Sequence, residues 1–333
     1  MNGILVGLGR QSRGWVQDCR KHPGVDLVGF VDISPAAREQ FVADGLAAKE
    51  QVFESLAEAI DACDAQFVLD VTPPAAHKPV ALAAIGAGLH VLGEKPMCET
   101  LADARAVAEA GEQAGVRHMI TQNFRFGPLP RTTRRLIRDG AIGRPGQLDI
   151  SFYVPWADRP DTHYVTEPFM FLTDMGVHHF DMMRYVLDAD PSAVRTLSWN
   201  QPWGWHKGDA CHVAVFDFAS GLKGVHMAMG CSLGRQTPAN GQWRIEGPEG
   251  SITWEDDRIF ISREHRTEAK RRDEIPPDAL PAVGRQAMLD EFVAAVREGR
   301  EPECGARDNL RSLAMTLGAV ASAATGQRVD LVY

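Results

Sequence analysis

The 333-residue sequence lacks several features that would assign it to a specialised class of protein. It has no run of eighteen or more apolar residues, which excludes an ordinary membrane-spanning helix. Its six cysteines lie far apart without C-x-x-C spacing, which favours reduced thiols over disulfides or a zinc site. The formal net charge of −9 argues against nucleic acid as the main partner, because phosphate binding needs a basic surface.

The sequence also shows no targeting segment and no low-complexity segment. A strand candidate begins at residue 3, so no charged and apolar leader precedes it, and we expect a cytoplasmic protein with no membrane partner. No internal repeat and no linker rich in Pro, Gly or Ser is visible. The one locally basic stretch, 263–274, alternates with acidic residues and is interpreted as a solvated loop. With 44% apolar and 24% charged residues, the composition is typical of a globular protein, and its length favours two domains.

Residues 1–122 alternate short apolar runs with helical patterns, which is typical of βαβ units on a parallel sheet. The predicted strands are 3–7, 27–32, a short one near Val52, 66–72, 89–93 and 118–122. The predicted helices are 13–21, 35–44, 56–62, 79–87 and 101–115. The first domain is therefore predicted to be a doubly wound α/β domain of the Rossmann type.

Residues 123–333 change to segments that alternate apolar and polar positions, which favours a large, mostly antiparallel sheet in an α/β domain. The predicted strands are 147–153, 193–199, 210–218, 222–231, 242–246 and 259–262. The predicted helices are 131–138, 173–187, 286–298 and 309–324. Because no linker separates the two halves, we expect the domains to be closely joined.

A nucleotide site is predicted at the end of the first strand. Gly7-Leu8-Gly9 permits a tight turn and a close approach of pyrophosphate to a helix N-terminus. Asp32 closes the second strand, where a carboxylate accepts hydrogen bonds from the adenosine ribose and repels a 2′-phosphate, so NAD is favoured, with NADP possible. Alternatively, the glycines serve only a turn and Asp32 only caps a helix. Ser12 replaces the expected third glycine, and three arginines are near enough in sequence to pair with a phosphate: Arg10, Arg13 and Arg38.

The motif Glu94-Lys95-Pro96 follows the apolar run 89–92 and places a lysine where a buried strand ends. In an open α/β sheet that end faces the ligand crevice, so Lys95 is a candidate to bind a substrate oxygen or to relay a proton. A surface lysine in a turn is the alternative. Thr72-Pro73 ends another strand and is a candidate wall beside the cofactor.

Asp174 and His178 lie at positions i and i+4 of a predicted helix and so share one face, which Asp181 extends by a turn. A carboxylate and an imidazole so placed suit proton transfer, the carboxylate orienting the ring or a substrate hydroxyl. A buried histidine capped by a helix acid is the alternative. His179 points about 100° away around the helix and is expected to bond elsewhere. A metal site using these four residues has no further cluster to support it, and no metal is predicted.

Five motifs occur together in order, and with them the chain resembles the glucose-fructose oxidoreductase / inositol dehydrogenase (Gfo/Idh/MocA) family. The motifs are Gly7-Leu8-Gly9, Thr72-Pro73 with His77, Glu94-Lys95-Pro96, Asn123-Phe124-Arg125-Phe126 and Asp174-x-x-x-His178-x-x-Asp181. The resemblance implies a Rossmann domain followed by an α/β domain that often forms dimers or tetramers through its sheet. It also implies hydride transfer between a nicotinamide and a hydroxyl-bearing carbon of a sugar or cyclitol.

The resemblance also implies roles for individual residues. Lys95 would bind the reacting hydroxyl, His178 would act as general acid and base, and Asp174 would orient His178 or bind a neighbouring hydroxyl. Candidate cofactor contacts are Gly7, Gly9, Arg10, Ser12, Arg13, Asp32, Thr72, Pro73, His77, Glu94 and Lys95. Candidate substrate contacts are Lys95, Arg125, Trp156, Asp174 and His178. The stretch 167–173 departs from the glycine-rich run common in the family, so we expect a reshaped substrate wall there.

Aromatic and histidine side chains are concentrated in loops of the second domain, and aromatic faces with polar edges suit a sugar ring. They are Trp156, His163, Tyr164, Trp199, Trp203, Trp205 and His206. Packing in a core or at a subunit contact is the alternative for each. Two other functions stay open: an NAD-dependent glycosidase or lyase that oxidises its sugar transiently, and a nucleotide-sensing regulator without catalysis.

Overall fold

A computed structural model describes residues 1–156, 165–263 and 272–333, and it divides into two compact units. The first unit comprises Met1–Asn123 and Pro281–Leu310, and the second comprises Phe124–Leu280 and Arg311–Tyr333. The sequence-based division placed everything after residue 122 in the second domain. In the structure the Ile120 N–H donates to the Cys304 carbonyl oxygen at 3.0 Å, and this contact helps to hold the late segment on the first unit.

The first unit contains a six-stranded sheet with strand order β3-β2-β1-β4-β5-β6. Every neighbouring pair is parallel, which confirms the predicted doubly wound α/β fold. The strands are β1 (Asn2–Val6), β2 (Asp26–Val31), β3 (Val52–Phe53), β4 (Phe67–Asp70), β5 (His90–Gly93) and β6 (His118–Ile120). Strand β4 is wholly buried, as expected for a parallel sheet covered on both faces.

Six helices belong to the first unit, and their ends follow capping rules. They are α1 (Arg10–Lys21), α2 (Pro35–Ala43), α3 (Leu56–Ala62), α4 (Pro74–Gly86), α5 (Leu101–Ala114) and, from the late segment, α8 (Gly284–Glu298). Ser34, Ser55 and Thr100 accept hydrogen bonds from the first turns of α2, α3 and α5. The prediction that α4 begins at Pro79 is wrong, because Pro74 occupies the first turn and Pro79 lies inside the helix.

The second unit contains a nine-stranded sheet with strand order β14-β13-β12-β11-β7-β10-β9-β8-β15. Only the β7/β10 pair among them is parallel, so the predicted mostly antiparallel sheet is confirmed. The strands are β7 (Gln147–Tyr153), β8 (Pro191–Trp199), β9 (Cys211–Phe218), β10 (Lys223–Met229), β11 (Gln242–Gly247), β12 (Gly250–Glu255), β13 (Arg258–Ser262), β14 (Arg272–Ile275) and β15 (Val329–Asp330).

The prediction of a solvated loop at 263–274 is wrong at its C-terminal end. Arg272, Asp273 and Glu274 belong to strand β14, which pairs antiparallel with β13. The Arg258 guanidinium donates to both carboxylate oxygens of Glu274 across this pair, and Arg272 lies over the Phe260 ring at 3.6 Å. An edge strand paired through charged side chains has the same composition as a solvated loop. Residues 264–271 lie outside the described part of the chain.

Three helices pack on one face of the second sheet: α6 (Pro128–Arg138), α7 (Val177–Leu187) and α9 (Ala306–Thr325). The core lies between them and the alternating inward residues of the strands, such as Ile150, Phe216 and Trp254. Helix α7 continues from a π-helical segment, Phe171–Gly176, so the predicted single helix 173–187 changes type at Val177. No helix in the described part of the chain is long and apolar enough to cross a membrane; cytoplasmic location stays a prediction.

Candidate active site

The turn after β1 requires glycine at Gly7 and leaves open space at Gly9. Gly7 has a φ of +94°, and a Cβ there would lie 2.8 Å from the backbone of Val71. Gly9 caps helix α1, and a Cβ on Gly9 would meet nothing within 4 Å. The first turn of α1 therefore presents its unpaired N–H groups beside an unfilled space, which suits a pyrophosphate.

Asp32, the first residue after β2, is held with its carboxylate beside the same turn. One carboxylate oxygen accepts from the Leu8 N–H at 2.8 Å and the other from the Ser34 N–H at 2.8 Å. The side chain is only partly buried. Arg38 donates to the backbone carbonyl oxygen of Asp32 at 2.6 Å. The main chain thus fixes the carboxylate that the sequence assigns to the ribose.

The other candidates in this first turn have different surroundings. Ser12 is buried, and its hydroxyl donates to the Gly9 carbonyl oxygen at 2.5 Å, so the serine strengthens the turn at the place of the expected glycine. Arg13 forms an ion pair with Asp44, and Arg10 is exposed at the first position of α1. Contact of Arg10 or Arg13 with the cofactor stays a prediction.

Asp70, Thr72 and His77 are joined by hydrogen bonds at the end of β4. Asp70 is buried, and sequence reasoning missed it. Asp70 accepts from the Thr72 N–H at 3.0 Å and from its hydroxyl at 2.6 Å, and burial raises the pKa of Asp70. The two His77 ring nitrogens lie 2.8 Å from the Thr72 carbonyl oxygen and 2.6 Å from the Pro96 carbonyl oxygen. His77 therefore links the Thr72-Pro73 turn to the Lys95-Pro96 segment.

Glu94 is tied down inside the first unit. One carboxylate oxygen accepts from the Trp15 indole N–H at 2.7 Å, and the other accepts from the Thr121 hydroxyl at 2.8 Å. Trp15 is stacked beneath the Arg285 guanidinium, whose carbon lies 4.7 Å from the indole ring centre. Glu94 thus fixes the end of β5 against α1 and the end of β6, and the partly buried Lys95 follows directly from this fixed point.

In the second unit, Asp174 lies in the π-helical segment and His178 in the first turn of α7. π-helical turns inside longer helices are frequent at functional sites. Asp174 is partly exposed, and His178 is 7% exposed. The His178 imidazole stacks on the Phe124 ring with centroids 4.4 Å apart and planes within 14°, so the Asn123–Phe126 motif orients the histidine.

Arg125 and Asp181, both singled out from sequence, form a buried ion pair with each other. The Arg125 Nε–H donates to Asp181 at 2.7 Å, a second guanidinium N–H donates to the other carboxylate oxygen, and the Ser312 hydroxyl adds a hydrogen bond at 2.7 Å. Both side chains are at most 5% exposed. The pair ties the Asn123–Phe126 motif to α7 and α9; contact of Arg125 with the substrate stays a prediction.

His179 bonds away from His178, as the helix geometry predicts, and belongs to a buried histidine chain formed by His179, His226 and His212. The nitrogens joining His179 to His226 and His226 to His212 are each 2.8 Å apart. His179 Nε2 lies 2.9 Å from the Ala239 carbonyl oxygen, so it donates, and every ring in the neutral chain is protonated at Nε2. Burial lowers the pKa of His179 to about 4 and that of His212 to about 3.

Two comparisons with protein-family models match nearly the whole chain. Residues 1–122 match the NAD-binding Rossmann fold of an oxidoreductase family, and residues 134–331 match the C-terminal alpha/beta domain of the same family. The chain belongs to the Gfo/Idh/MocA oxidoreductase family. As a member it is an NAD(P)-dependent dehydrogenase or reductase acting on CH–OH groups, and its first 122 residues match an NAD-binding domain. The predicted family and cofactor are confirmed.

Individual relatives of this Gfo/Idh/MocA protein span almost its full length. It is 29% identical over 350 residues to a D-apiose dehydrogenase of Paraburkholderia graminis, covering 99% of this chain and 89% of the relative. It is 26% identical over 338 residues to an inositol 2-dehydrogenase of Rhizobium meliloti, covering 98% of both. An oxidoreductase from Agrobacterium radiobacter, solved in complex with NAD+, L-tartaric acid and magnesium, superposes with a TM-score of 0.86 at 20% identity, covering 99% and 98% of the chains. This last likeness shows a shared fold.

The first unit of this Gfo/Idh/MocA chain fits NAD. Open space at Gly9 beside the α1 N-terminus would suit a pyrophosphate, and the oriented Asp32 carboxylate would suit a ribose diol. The residues that sequence reasoning missed are those that hold the predicted ones in place: Asp70, Trp15, Thr121 and Ser312. Asp70 alone had a local signal, a carboxylate ending the apolar run of β4.

Proposed function

We propose that this protein is an NAD-dependent dehydrogenase that moves a hydride between the nicotinamide and a hydroxyl-bearing carbon of a sugar, sugar derivative or cyclitol. The observation that carries the proposal is the setting of His178. It is a nearly buried imidazole, stacked on Phe124 and placed one turn after Asp174, in a family whose members oxidise alcohols. A histidine so held suits proton transfer to a bound alcohol.

The chemistry divides between cofactor and protein. Bound NAD accepts or returns the hydride, while the side chains of this chain handle the oxygen and its proton. We assign His178 as the general base that takes the hydroxyl proton during oxidation and returns it during reduction, since an imidazole has an ordinary pKa of about 6.5. Lys95 binds the reacting oxygen and stabilises the negative charge that develops on it. Asp174 orients His178 or binds a neighbouring hydroxyl.

The substrate class rests on two kinds of support. The relatives at 29% and 26% identity are named for D-apiose and inositol, which are both neutral and rich in hydroxyl groups. In the second unit the Trp156 ring packs against Phe171 with centroids 5.0 Å apart, and Phe171 begins the π-helical segment that carries Asp174. Aromatic faces next to a carboxylate suit the apolar C–H face and the hydroxyl rim of a sugar ring.

Two functions weighed from sequence are less well supported. The relatives described above are named dehydrogenases, which favours net redox chemistry over a glycosidase or lyase that regenerates its cofactor. A nucleotide sensor has no need of the Lys95 and His178 pair. Stoichiometric NADH formation separates these functions, because a transiently oxidising enzyme and a sensor both leave NADH at zero net yield.

We further propose that the protein is a homodimer or homotetramer built through the second sheet. Helices cover one face of that sheet, while the other face carries the half-buried apolar side chains Val213, Val215, Val225 and Met227 at its centre. An apolar sheet face that helices leave uncovered is typical of a contact between copies. Light scattering of the wild type and of Val215→Asp tests this, and an unchanged monomer in both samples contradicts it.

The test of the reaction is a panel of sugars and polyols followed at 340 nm, first with NAD and then with NADP. We expect net NADH formation with at least one neutral polyol and the loss of that activity in His178→Asn. If no member of the panel reduces NAD, or if His178→Asn keeps turnover within a few-fold of wild type, the proposed function or its site is wrong.

A further inference from the structure

The loop 200–209, which joins β8 to β9, is fastened to the segment that leads into the π-helical turn of Asp174. The Lys207 N–H donates to the Val165 carbonyl oxygen at 2.9 Å, and the Asp209 N–H donates to the Pro168 carbonyl oxygen at 2.8 Å. Between them Gly208 packs so closely that a Cβ would lie 2.5 Å from the Glu167 carbonyl oxygen. We call residues 200–209 the aromatic loop, and its position beside 165–168 is fixed by main-chain contacts.

The aromatic loop buries polar nitrogens that the protein does not satisfy. His206 is 6% exposed, and both of its ring nitrogens, with the indole Nε1 of Trp205, have no hydrogen-bond partner among residues 1–156, 165–263 and 272–333. The two rings are stacked with centroids 3.9 Å apart, which holds the nitrogens in place. Buried polar atoms in native proteins are almost always paired, so three such atoms in one cluster point to a ligand.

Other tryptophans in the chain show the ordinary state of a buried indole. Trp243 donates to the Asn240 carbonyl oxygen at 2.7 Å, and Trp254 donates to the Thr133 hydroxyl at 2.6 Å. Trp243 is 2% exposed and stacks on Trp254 with centroids 4.3 Å apart, much as Trp205 stacks on His206. The fold is therefore able to pair a stacked, buried indole N–H, whereas the Nε1 of the partly buried Trp205 has no hydrogen-bond partner in the described part of the chain.

The unpaired atoms define the chemistry of the partner. Burial lowers the pKa of His206, which favours the neutral ring with one donor nitrogen and one acceptor nitrogen. Trp205 adds a second donor. A carboxylate or phosphate only accepts and an ammonium only donates, whereas hydroxyl groups do both. The walls are apolar, since Phe171 meets the His206 ring edge to face at 6.1 Å and also packs on Trp156.

We propose that His206 and Trp205 form a hydroxyl-binding subsite that selects an uncharged polyhydroxylated substrate over its acidic or phosphorylated counterpart. Phe171, which packs against the His206 ring, belongs to the same π-helical segment as Asp174. The inference rests on the proposed function and deepens it, because it assigns the part of the substrate remote from the reacting carbon.

The experiment uses the NAD-loaded enzyme, a substrate found in the sugar and polyol panel, and the set of its single-deoxy analogues. Trp205→Phe removes the indole N–H and keeps the ring, and His206→Asn keeps one donor and one acceptor in a smaller side chain. For Trp205→Phe we expect kcat/KM on the parent substrate to fall about tenfold, mainly through KM, because one hydrogen bond to a bound hydroxyl is lost. The loss disappears for the one analogue that lacks this hydroxyl. For His206→Asn we also expect kcat/KM to fall on the parent substrate and the loss to disappear for one deoxy analogue.

Trp243→Phe is the matched control, because it deletes an indole N–H that already has a protein partner. We expect Trp243→Phe to lower the thermal midpoint and to leave kcat/KM within twofold. Trp205→Phe should show the opposite pattern: an unchanged or higher midpoint without substrate, since an unsatisfied N–H is removed, and weaker binding.

Different results contradict the proposed subsite and the proposed reaction. If Trp205→Phe lowers kcat/KM equally for the parent and every analogue, or if both variants stay within twofold of wild type, the nitrogens serve water or packing and the subsite is wrong. A panel with no oxidised polyol contradicts the proposed function instead. The subsite is then judged by calorimetric binding of the same panel to wild type and Trp205→Phe, and equal binding, or none, overturns it.

Discussion

The nucleotide end of the first unit and the interior of the second unit satisfy their polar side chains in different ways. At the nucleotide end, Asp32 accepts from two backbone N–H groups, and the ring nitrogens of His77 lie within hydrogen-bond distance of two backbone carbonyl oxygens. In the second unit, polar side chains bond one another across distant elements: Arg125 with Asp181, and the three rings of the histidine chain.

This difference determines how each region responds to change. A side chain that is hydrogen-bonded to the main chain of a turn keeps its orientation as long as the turn is folded. A substitution in the turn therefore tests whether the turn geometry matters. A network of side chains depends on the protonation state of each member, so pH becomes the natural perturbation.

The largest expected effect is acid destabilisation of the second unit through the histidine chain. Burial holds the pKa of His179 at about 4, that of His212 at about 3 and that of His226 well below its usual value. The unfolded chain titrates near pH 6.5 and therefore binds more protons than the folded chain as pH falls. The free energy of unfolding is therefore highest above pH 6.5, where these histidines are neutral in both states, and it falls as the pH drops below 6.5. For three such groups the loss from pH 7 to pH 5 is about 6 kcal/mol.

Urea unfolding followed by tryptophan fluorescence measures this loss, because six of the seven tryptophans lie in the second unit. The variant His226→Gln tests the role of the chain directly. Its amide still donates and accepts between the two outer rings but does not titrate. Below pH 6, the slope of unfolding free energy against pH should be about a third shallower in His226→Gln than in wild type. Equal slopes in both proteins would show that the chain does not control acid sensitivity.

Removing the proposed proton carrier should affect turnover without affecting the nucleotide end. His178→Asn keeps a polar side chain of similar shape but cannot relay a proton near neutral pH, so we expect kcat to fall about 10³-fold. Lys95→Met keeps the length of the side chain and removes its charge, and a fall of similar size is expected. NADH affinity of His178→Asn, measured by nucleotide fluorescence, should match wild type. A weaker NADH affinity in His178→Asn would mean that this residue shapes the nucleotide site instead.

The same contrast explains how much of the molecule the sequence predicts. Gly7, Gly9 and Asp32 act through local backbone geometry, so a short motif suffices to find them and the parallel sheet around them. Strand β14 was missed because an edge strand paired by charges resembles a loop in composition, and Val329–Asp330 was missed because two residues carry no periodicity. The partners of Asp181 and His179 were not predictable, since Ser312 lies 131 residues away and His226 lies 47 residues away.

A pair of alanine substitutions tests whether the main-chain turn has separate structural and binding roles. Gly7→Ala introduces a Cβ 2.8 Å from the Val71 backbone at a φ of +94°, so we expect a loss of about 2 to 3 kcal/mol in stability. Gly9→Ala introduces a Cβ into open space, so stability should be unchanged while NAD affinity falls about tenfold through the lost approach of pyrophosphate. Thermal midpoints and NAD titration measure both. If Gly9→Ala binds NAD normally, the space at the α1 N-terminus is not the pyrophosphate site.

The smallest expected effect concerns the choice between NAD and NADP at Asp32. Asp32→Asn keeps an acceptor for one of the two N–H groups, from Leu8 and Ser34, and removes the charge that repels a 2′-phosphate. The ratio of kcat/KM for NAD to that for NADP should therefore fall about tenfold, with a loss of about 1 kcal/mol in stability from the weakened second hydrogen bond. The control is Asp44→Asn, which makes the same charge change at the C-terminal cap of α2, where Asp44 pairs with Arg13. An equal shift in both variants would attribute the preference to the overall charge of the region, whereas a shift confined to Asp32→Asn attributes it to one carboxylate held in place by the main chain.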